Sequence, residues 1–335
     1  MLTIKPFALK PGDMVGVVAP SDAVEKRDVE AGVKILRGWG LKVKVGRHVY
    51  AKIGDFSAGT AEERMEDLKT MIYDVDVKVV WAATGGYAAT EILPVFNRET
   101  INYLKANPKW FVGYSDMCLI LNILTSFGIV NIMGPNLGGL TEWWDKWSGE
   151  YLRKMMFGEE IIGIGNEAKW RAGVAGEGRG KVLASNLETL ILSFGTRYDP
   201  MMYGGGDVIL CLEELDIDKS ALQRQVDTVL NHKKAGRIRG IIIGRLANIS
   251  EVSYPEWGRK VTAEGLITAR VKKFGIPLGY LADFGHPEWV YGKFTQIKYF
   301  FANRRFYSFA NGVMAKLVVD ERGGKLEYLE PIVRK

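Results

Sequence analysis

The amino-acid sequence predicts an α/β chain: a parallel sheet covered by helices in its N-terminal part, then a second α/β unit with a β-rich end. Three observations carry this reading. Short apolar runs alternate with segments of helical periodicity through the first half, the pattern of strands joined by crossover helices. A second alternation begins at Lys181. The 335 residues, 47% hydrophobic and 25% charged, suffice for two domains. We read residues 1–140 as an N-terminal domain, 141–179 as a connection and 180–335 as a C-terminal domain.

Asp13 to Ala19 is the first strand, and the loop Pro20-Ser21-Asp22 leaves its C-terminal end. A helix from Val24 to Trp39 turns Val29, Val33 and Leu36 to one face and stops at Gly40. Leu41 to Val45 is the second strand. Thr60-Ala61-Glu62-Glu63 is a capping box that opens a helix through Met65, Leu68 and Met71. Val77 to Trp81 follows as a third strand. Trp110, Phe111 and Val112 form a buried strand, and Leu119, Ile120, Ile123, Leu124 and Phe127 then recur at helical spacing, so the chain turns sharply at Gly113-Tyr114-Ser115. Ile129 to Met133 is one more strand, before Gly134-Pro135-Asn136-Leu137-Gly138-Gly139 breaks the pattern.

Trp143, Trp144, Trp147 and Trp170 then cluster among Gly, Glu and Lys, a texture of exposed side chains that line a pocket or, more often, pack a hinge, with some helix around Tyr151 to Met156. In the second unit, Asn186 to Phe194 is a helix, Asp207 to Leu212 a strand, and Lys219 to Lys233 a helix with Leu222, Val226, Val229 and Leu230 inward. Ile238 to Ile243 is a strand, Thr262 to Lys273 a helix and Leu278 to Ala282 a strand. Phe294 to Phe301 and Met314 to Val319 are late strands.

The formal charge is +6 and the pI near 9.0, yet the basic residues are scattered among 39 acidic ones without a Lys/Arg block, so no nucleic-acid partner is expected. No stretch reaches about 18 uninterrupted apolar residues, and Met1 to Phe7 carries no apolar signal core. A cytoplasmic protein with no membrane partner is expected. Cys118 and Cys211 lie in apolar surroundings and read as two buried thiols without a disulfide. With only three histidines besides, neither a metal site nor a cofactor is expected.

Ligands of parallel sheets gather at the C-terminal ends of the strands. Two loops there draw notice. In Thr84-Gly85-Gly86-Tyr87, paired glycines let a backbone approach a ligand closely, although a plain turn explains them as well. At the second, Ser115 is lifted clear of the sheet beside the unpaired N–H groups of a helix start, a geometry suited to acyl transfer. Gly-x-Ser-x-Met lacks the second glycine of the full elbow, and a helix N-cap is the competing reading.

A nucleophilic serine needs a base, and the base an orienting acceptor. His232, beside Lys233 and Lys234, reads as solvent-facing, and His48 as part of an ordinary loop. His286 is best placed, in Phe284-Gly285-His286-Pro287 just past a strand. Leu212-Glu213-Glu214-Leu215 offers two carboxylates, of which strand alternation lets only one face a cleft. The order along the chain is Ser, Glu, His.

That order resembles the LD-carboxypeptidase family of serine peptidases, which also contains the microcin C immunity proteins. The resemblance lies in Leu9-Lys10-Pro11-Gly12-Asp13, Thr84 to Tyr87, Asn107-Pro108-Lys109 through Gly113-Tyr114-Ser115-Asp116, and Gly134-Pro135. It continues in Asn186-Leu187-Glu188-Thr189-Leu190, Leu212-Glu213-Glu214, Gly240 to Arg245 and Gly285-His286. It implies an N-terminal flavodoxin-like or Rossmann-like domain carrying the nucleophile Ser115, and a C-terminal domain carrying Glu213 and the base His286. The amides of Gly86 and Asp116 would form the oxyanion hole. Thr84 and Ala88 stand where the family usually has arginine and glycine, and Ala184-Ser185-Asn186 where it has Gly-Gly-Asn, so substrate identity is less fixed than mechanism. The Asn-Leu-Glu-Thr-Leu and Leu-Glu-Glu segments look closer to the microcin C branch. The expectation is a serine carboxypeptidase acting on a small peptide-like substrate, muropeptide or peptidyl or aminoacyl nucleotide, as a homodimer; a non-catalytic small-molecule binder is the alternative.

Overall fold

The computed structural model describes residues 3–251, 261–291, 297–300 and 304–334. Its first strands are β1 Met14–Val18, β2 Lys42–Val45, β3 Val77–Ala82, β4 Trp110–Gly113 and β5 Asn131–Met133. They run parallel in the order β5-β4-β3-β1-β2. β4 and β5 are buried throughout, as expected of strands in a sheet covered on both sides. The covering helices are Lys26–Gly38, Ala61–Tyr73, Arg98–Ala106 and Cys118–Ser126. Thr60 caps the second of these as a full box, accepting from Glu63 N at 3.2 Å while Thr60 N donates to Glu63 Oε2 at 2.9 Å.

The second half adds β6 Gly163–Ile164, β7 Trp170–Val174, β8 Gly176–Asn186, β9 Val208–Leu215, β10 Ile238–Ala247 and β11 Leu278–Leu281. Then come β12 Glu288–Tyr291, β13 Ile297–Phe300, β14 Phe309–Asn311, β15 Met314–Asp320 and β16 Gly323–Tyr328. The second sheet is ordered β6-β16-β15-β8-β9-β10-β11-β7, parallel from β8 to β11 and antiparallel at its flanks. β12 and β13 pair as a separate ribbon. Of the predicted strand Phe294 to Phe301, residues 297–300 are strand, while 294–296 and 301 lie outside the described residues.

Several elements differ from the sequence reading. Segment 141–179 holds the helix Lys146–Phe157 and two strands of the second sheet rather than hinge alone. Its tryptophans mostly pack inward: Trp144 and Trp170 are buried. Trp170 lies where Gly279, Gly323 and Gly324 have no side chain, each place a Cβ would meet it within 3.0 Å. β9 runs on to Leu215, which puts Glu213 and Glu214 inside the strand. Both cysteines are buried and unbridged. Among the described residues, no helix is long and apolar enough to cross a membrane, and no cluster of three or more ligating side chains could hold a metal.

The two halves are joined by more than contact. β14, from the chain's last part, adds antiparallel to β5 as an edge of the first sheet. From it, Asn311 Nδ2 donates to Asn131 Oδ1 and to the Ala184 carbonyl of β8, both at 3.1 Å, and Oδ1 accepts from Ala184 N at 2.6 Å. Asn122 Nδ2 adds a bond to Ser185 Oγ at 3.2 Å. These buried bonds fix the first sheet against the second. Asn311→Ala would strand three buried polar groups, so we expect a loss of about 2–4 kcal/mol in urea unfolding. A loss below about 0.5 kcal/mol would contradict this account of the seam.

Candidate active site

At the C-terminal end of β4 the chain reverses into the helix Cys118–Ser126 through a turn whose strain is local and visible. Ser115 has φ +64°, the left-handed region that a residue with a side chain adopts at a cost. Gly113 precedes it at φ +158°, where a Cβ would meet Met117 Cγ at 2.7 Å and Asn136 Oδ1 at 2.8 Å. Asn136 holds the turn from outside, accepting Tyr114 N at 3.1 Å and donating to Tyr114 O at 3.4 Å. The serine is therefore on a fixed, half-buried corner.

The glycine loop after β3 presses directly on that corner. A Cβ on Gly85 would lie 2.6 Å from Ser115 Cβ and 2.7 Å from its Oγ, and one on Gly86, at φ +135°, would lie 2.0 Å from Asp22 Cγ. Only glycines fit. The plain-turn reading does not account for this closeness. Behind the loop, Arg64 donates to the carbonyls of Pro20 at 3.2 Å and Ala88 at 2.8 Å and pairs with Glu91. Asp116 turns its carboxylate backward to Ser21 and Ala89, so that only its backbone is directed with Ser115. Burial pushes the Asp116 and Asp22 carboxyls above the usual range.

The second sheet supplies a histidine–glutamate pair. His286 Nδ1 lies 2.6 Å from Glu213 Oε2, and His286 N donates to the same oxygen at 3.1 Å. Both residues are buried, at 6% and 1% exposure. A carboxylate on Nδ1 places the proton of a neutral ring there, which makes Nε2 the ring's basic nitrogen. Gly285, at φ +93°, is required because a Cβ would come 2.7 Å from Glu213 Cβ. Arg245 Nη1 and Nη2 donate to the carbonyls of Gly285 at 2.9 Å and Arg305 at 2.7 Å, fixing this turn. Burial pushes the Arg245 guanidinium down to about 10, still a cation near neutrality, facing Asp283, Tyr114 and Glu213.

The neighbouring glutamate does other work. Glu214 Oε1 accepts from Asn186 Nδ2 at 3.1 Å and Leu215 N at 2.9 Å, and Oε2 from Glu188 N at 2.9 Å at the start of the helix Leu187–Leu192. Alternation along β9 thus sends Glu213 to His286 and Glu214 away from it. The other histidines stand apart from this cluster. His48 Nδ1 lies 3.2 Å from Asp67 Oδ1. His232, expected in solvent, is largely covered and lies 3.0 Å from Asp199 Oδ2, because the helix end folds over the carboxylate that caps Pro200–Tyr203.

Ser115, Asp116, Gly86 and His286 line one cavity of about 480 Å³, together with Tyr87, Trp143, Asn186 and Glu188. Sequence reasoning assigned no role to Ser21, Asn136 or Arg245. For Ser21 and Asn136 a hint existed, since both lie in loops at C-terminal strand ends. Arg245, within β10, gave none.

Residues 15–134 match the LD-carboxypeptidase N-terminal domain and residues 179–291 the LD-carboxypeptidase C-terminal domain. A Bacillus subtilis protein named "Probable murein peptide carboxypeptidase" is 30% identical over 240 residues, 70% of this chain and 71% of that one. Among solved structures, MccF in complex with glutamyl sulfamoyl guanosine superposes with a TM-score of 0.78 at 18% identity, covering 99% of this chain and 100% of that one. The muramoyltetrapeptide carboxypeptidase of Oxalobacter formigenes does so at 0.73 and 18%, covering 95% and 99%. At these identities the two structures speak for the fold.

Glu214 gives this site a pH signature. Burial, then the charge of Glu213, pushes its carboxyl up to about 7 from 4.5. Between those values the folded chain holds a proton that the unfolded chain has released, so stability is full below about 4.5 and falls as pH rises through about 7. The span corresponds to a loss of up to about 3 kcal/mol. Urea unfolding from pH 5 to 7.5 should show a decline that Glu214→Gln flattens by about 2–3 kcal/mol. Equal slopes in both proteins would show that Glu214 does not titrate in this window.

Proposed function

The chain belongs to the LD-carboxypeptidase family, and we propose that it is a serine peptidase cleaving the terminal amide of a small peptide-like substrate through Ser115, His286 and Glu213. One observation carries the proposal. His286, paired with the buried Glu213 of the second sheet, and a strained Ser115 from the first line the same cavity. A fold that only bound a ligand would have no need of either strain or pair.

The reaction then runs as follows. His286 Nε2 takes the Ser115 proton as Oγ attacks the substrate carbonyl, while Glu213 holds the ring and stabilises the imidazolium. The oxyanion is received by the backbone N–H groups of Gly86 and Asp116, and their stabilisation is worth about 2.7–4 kcal/mol per donor in comparable sites. The imidazolium returns its proton to the leaving amine. Water, deprotonated by the same His286, then releases the acyl group from Ser115.

The cavity also bears on the substrate. Asp22, Glu188 and Asp216 line it, and no lysine or arginine does among the described residues. These carboxylates would meet the ammonium of a peptide. A muropeptide is favoured by the names of curated relatives, murein peptide carboxypeptidases among them. The second reading, a peptidyl or aminoacyl nucleotide, rests on Asn186, Glu188 and Thr189: the segment closer to the microcin C branch also lines the cavity.

Mass spectrometry after incubation with a murein tetrapeptide and with an acyl nucleotide separates the two, and release of the terminal D-residue from the tetrapeptide is expected. Ser115→Ala should lower that turnover by about 10³-fold or more. Wild-type turnover in Ser115→Ala would remove the serine from the mechanism, and cleavage of the nucleotide alone would reject the muropeptide.

A further inference from the structure

The proposed mechanism leaves one buried hydroxyl unused. Ser21, fully buried in the loop after β1, donates from Oγ to Asp116 Oδ2 at 2.5 Å, lies 3.4 Å from Asp22 Oδ1 and accepts from Ala88 N at 3.0 Å. Around it, three successive amides of the glycine loop are taken in turn. Asp22 Oδ1 accepts from Tyr87 N at 2.9 Å, Ser21 Oγ from Ala88 N, and Asp116 Oδ2 from Ala89 N at 2.8 Å. Asp22 N returns a bond to the Gly85 carbonyl at 3.1 Å. Among the described residues, no acceptor meets the N–H of Gly86, which lies inside this set of bonds.

One hydroxyl therefore links three segments: the β1 loop, the glycine loop 67 residues on, and the residue after the nucleophile, 95 residues on. The peptide plane at Gly86 is held from both sides, by the packing of Asp22 against its Cα and by the three tied amides that follow.

We propose that Ser21 is a positioning residue, whose hydroxyl clasps the glycine loop to Asp116 so that the Gly86 and Asp116 amides converge on the substrate oxygen. The inference rests on the reading of Ser115 as nucleophile. Ser21 touches no reacting atom itself. Without its hydroxyl the Ala88 amide loses its acceptor and the Asp116 carboxylate a donor, and the loop relaxes. Donors aimed at a developing charge lose their effect with small displacements, while ground-state binding is little altered.

The test is the kinetics of Ser21→Ala, with Ser21→Cys as a variant of nearly equal volume and weaker hydrogen bonding should alanine fail to fold. We expect kcat to fall about 10- to 100-fold with KM within about twofold. The pH dependence of kcat/KM should keep its midpoint, because the base is untouched, and Ser21→Thr should recover part of kcat by restoring the hydroxyl. Unchanged kcat in the folded variants, or a raised KM at constant kcat, would overturn the proposal. Ser115→Ala, measured alongside, separates the failures: if it is inactive while Ser21→Ala and Ser21→Cys are normal, only the clasp is wrong; if it is active, the nucleophile reading fails as well.

Discussion

The contact of His286 Nδ1 with Glu213 Oε2, 2.6 Å long and closed off from solvent, is the interaction on which the other features of the site depend. A carboxylate in such a place is costly unless it is paired, and here one oxygen takes both the ring and the backbone amide of His286 while Oε1 has no hydrogen-bond partner among the described residues. The arrangement is maintained by what surrounds it. Gly285 admits the close approach, Arg245 anchors the Gly285 carbonyl and supplies positive charge, and β9 delivers Glu213 to the correct face. His286 is thus held in place by its own surroundings, as the proposed proton transfer requires.

The proposed nucleophile and base come from different sheets, so the register between the sheets is itself part of the site. This explains why buried side-chain amides bridge the seam. Asn311 and Asn131 join β14, β5 and β8, and Asn122 reaches Ser185 from the very helix that follows Ser115. Left-handed geometry at Ser115 costs on the order of 1–2 kcal/mol. It is offset by the helix Cys118–Ser126, every residue of which is buried. Strain at the corner and burial behind it are two sides of one local design.

Much of this was legible in the sequence. The elbow could be read because an apolar run adjoins a helical repeat at Gly113-Tyr114-Ser115, and His286 because glycine and proline bracket it after a strand. Both signals are local. Ser21, Asn136 and Arg245 were not assigned, since their partners lie 95, 22 and 40 residues away and a place in a loop past a strand end, which Ser21 and Asn136 have, does not name a partner. The strands in 141–179 were hidden for a related reason: the glycines that make room for Trp170 of β7 are Gly279, Gly323 and Gly324, more than a hundred residues further along the chain. His232 read as solvent-facing from its lysine neighbours, while its actual partner, Asp199, is 33 residues away.

The central claim is that a base carried by the second sheet activates a serine carried by the first. The rate at which a fluorophosphonate labels Ser115, located by peptide mass spectrometry, tests this without knowledge of the natural substrate. In the wild-type protein Ser115 should be labelled selectively, and His286→Gln should slow labelling by about 100-fold or more. Equal labelling rates in the two proteins, with both folded, would contradict the account.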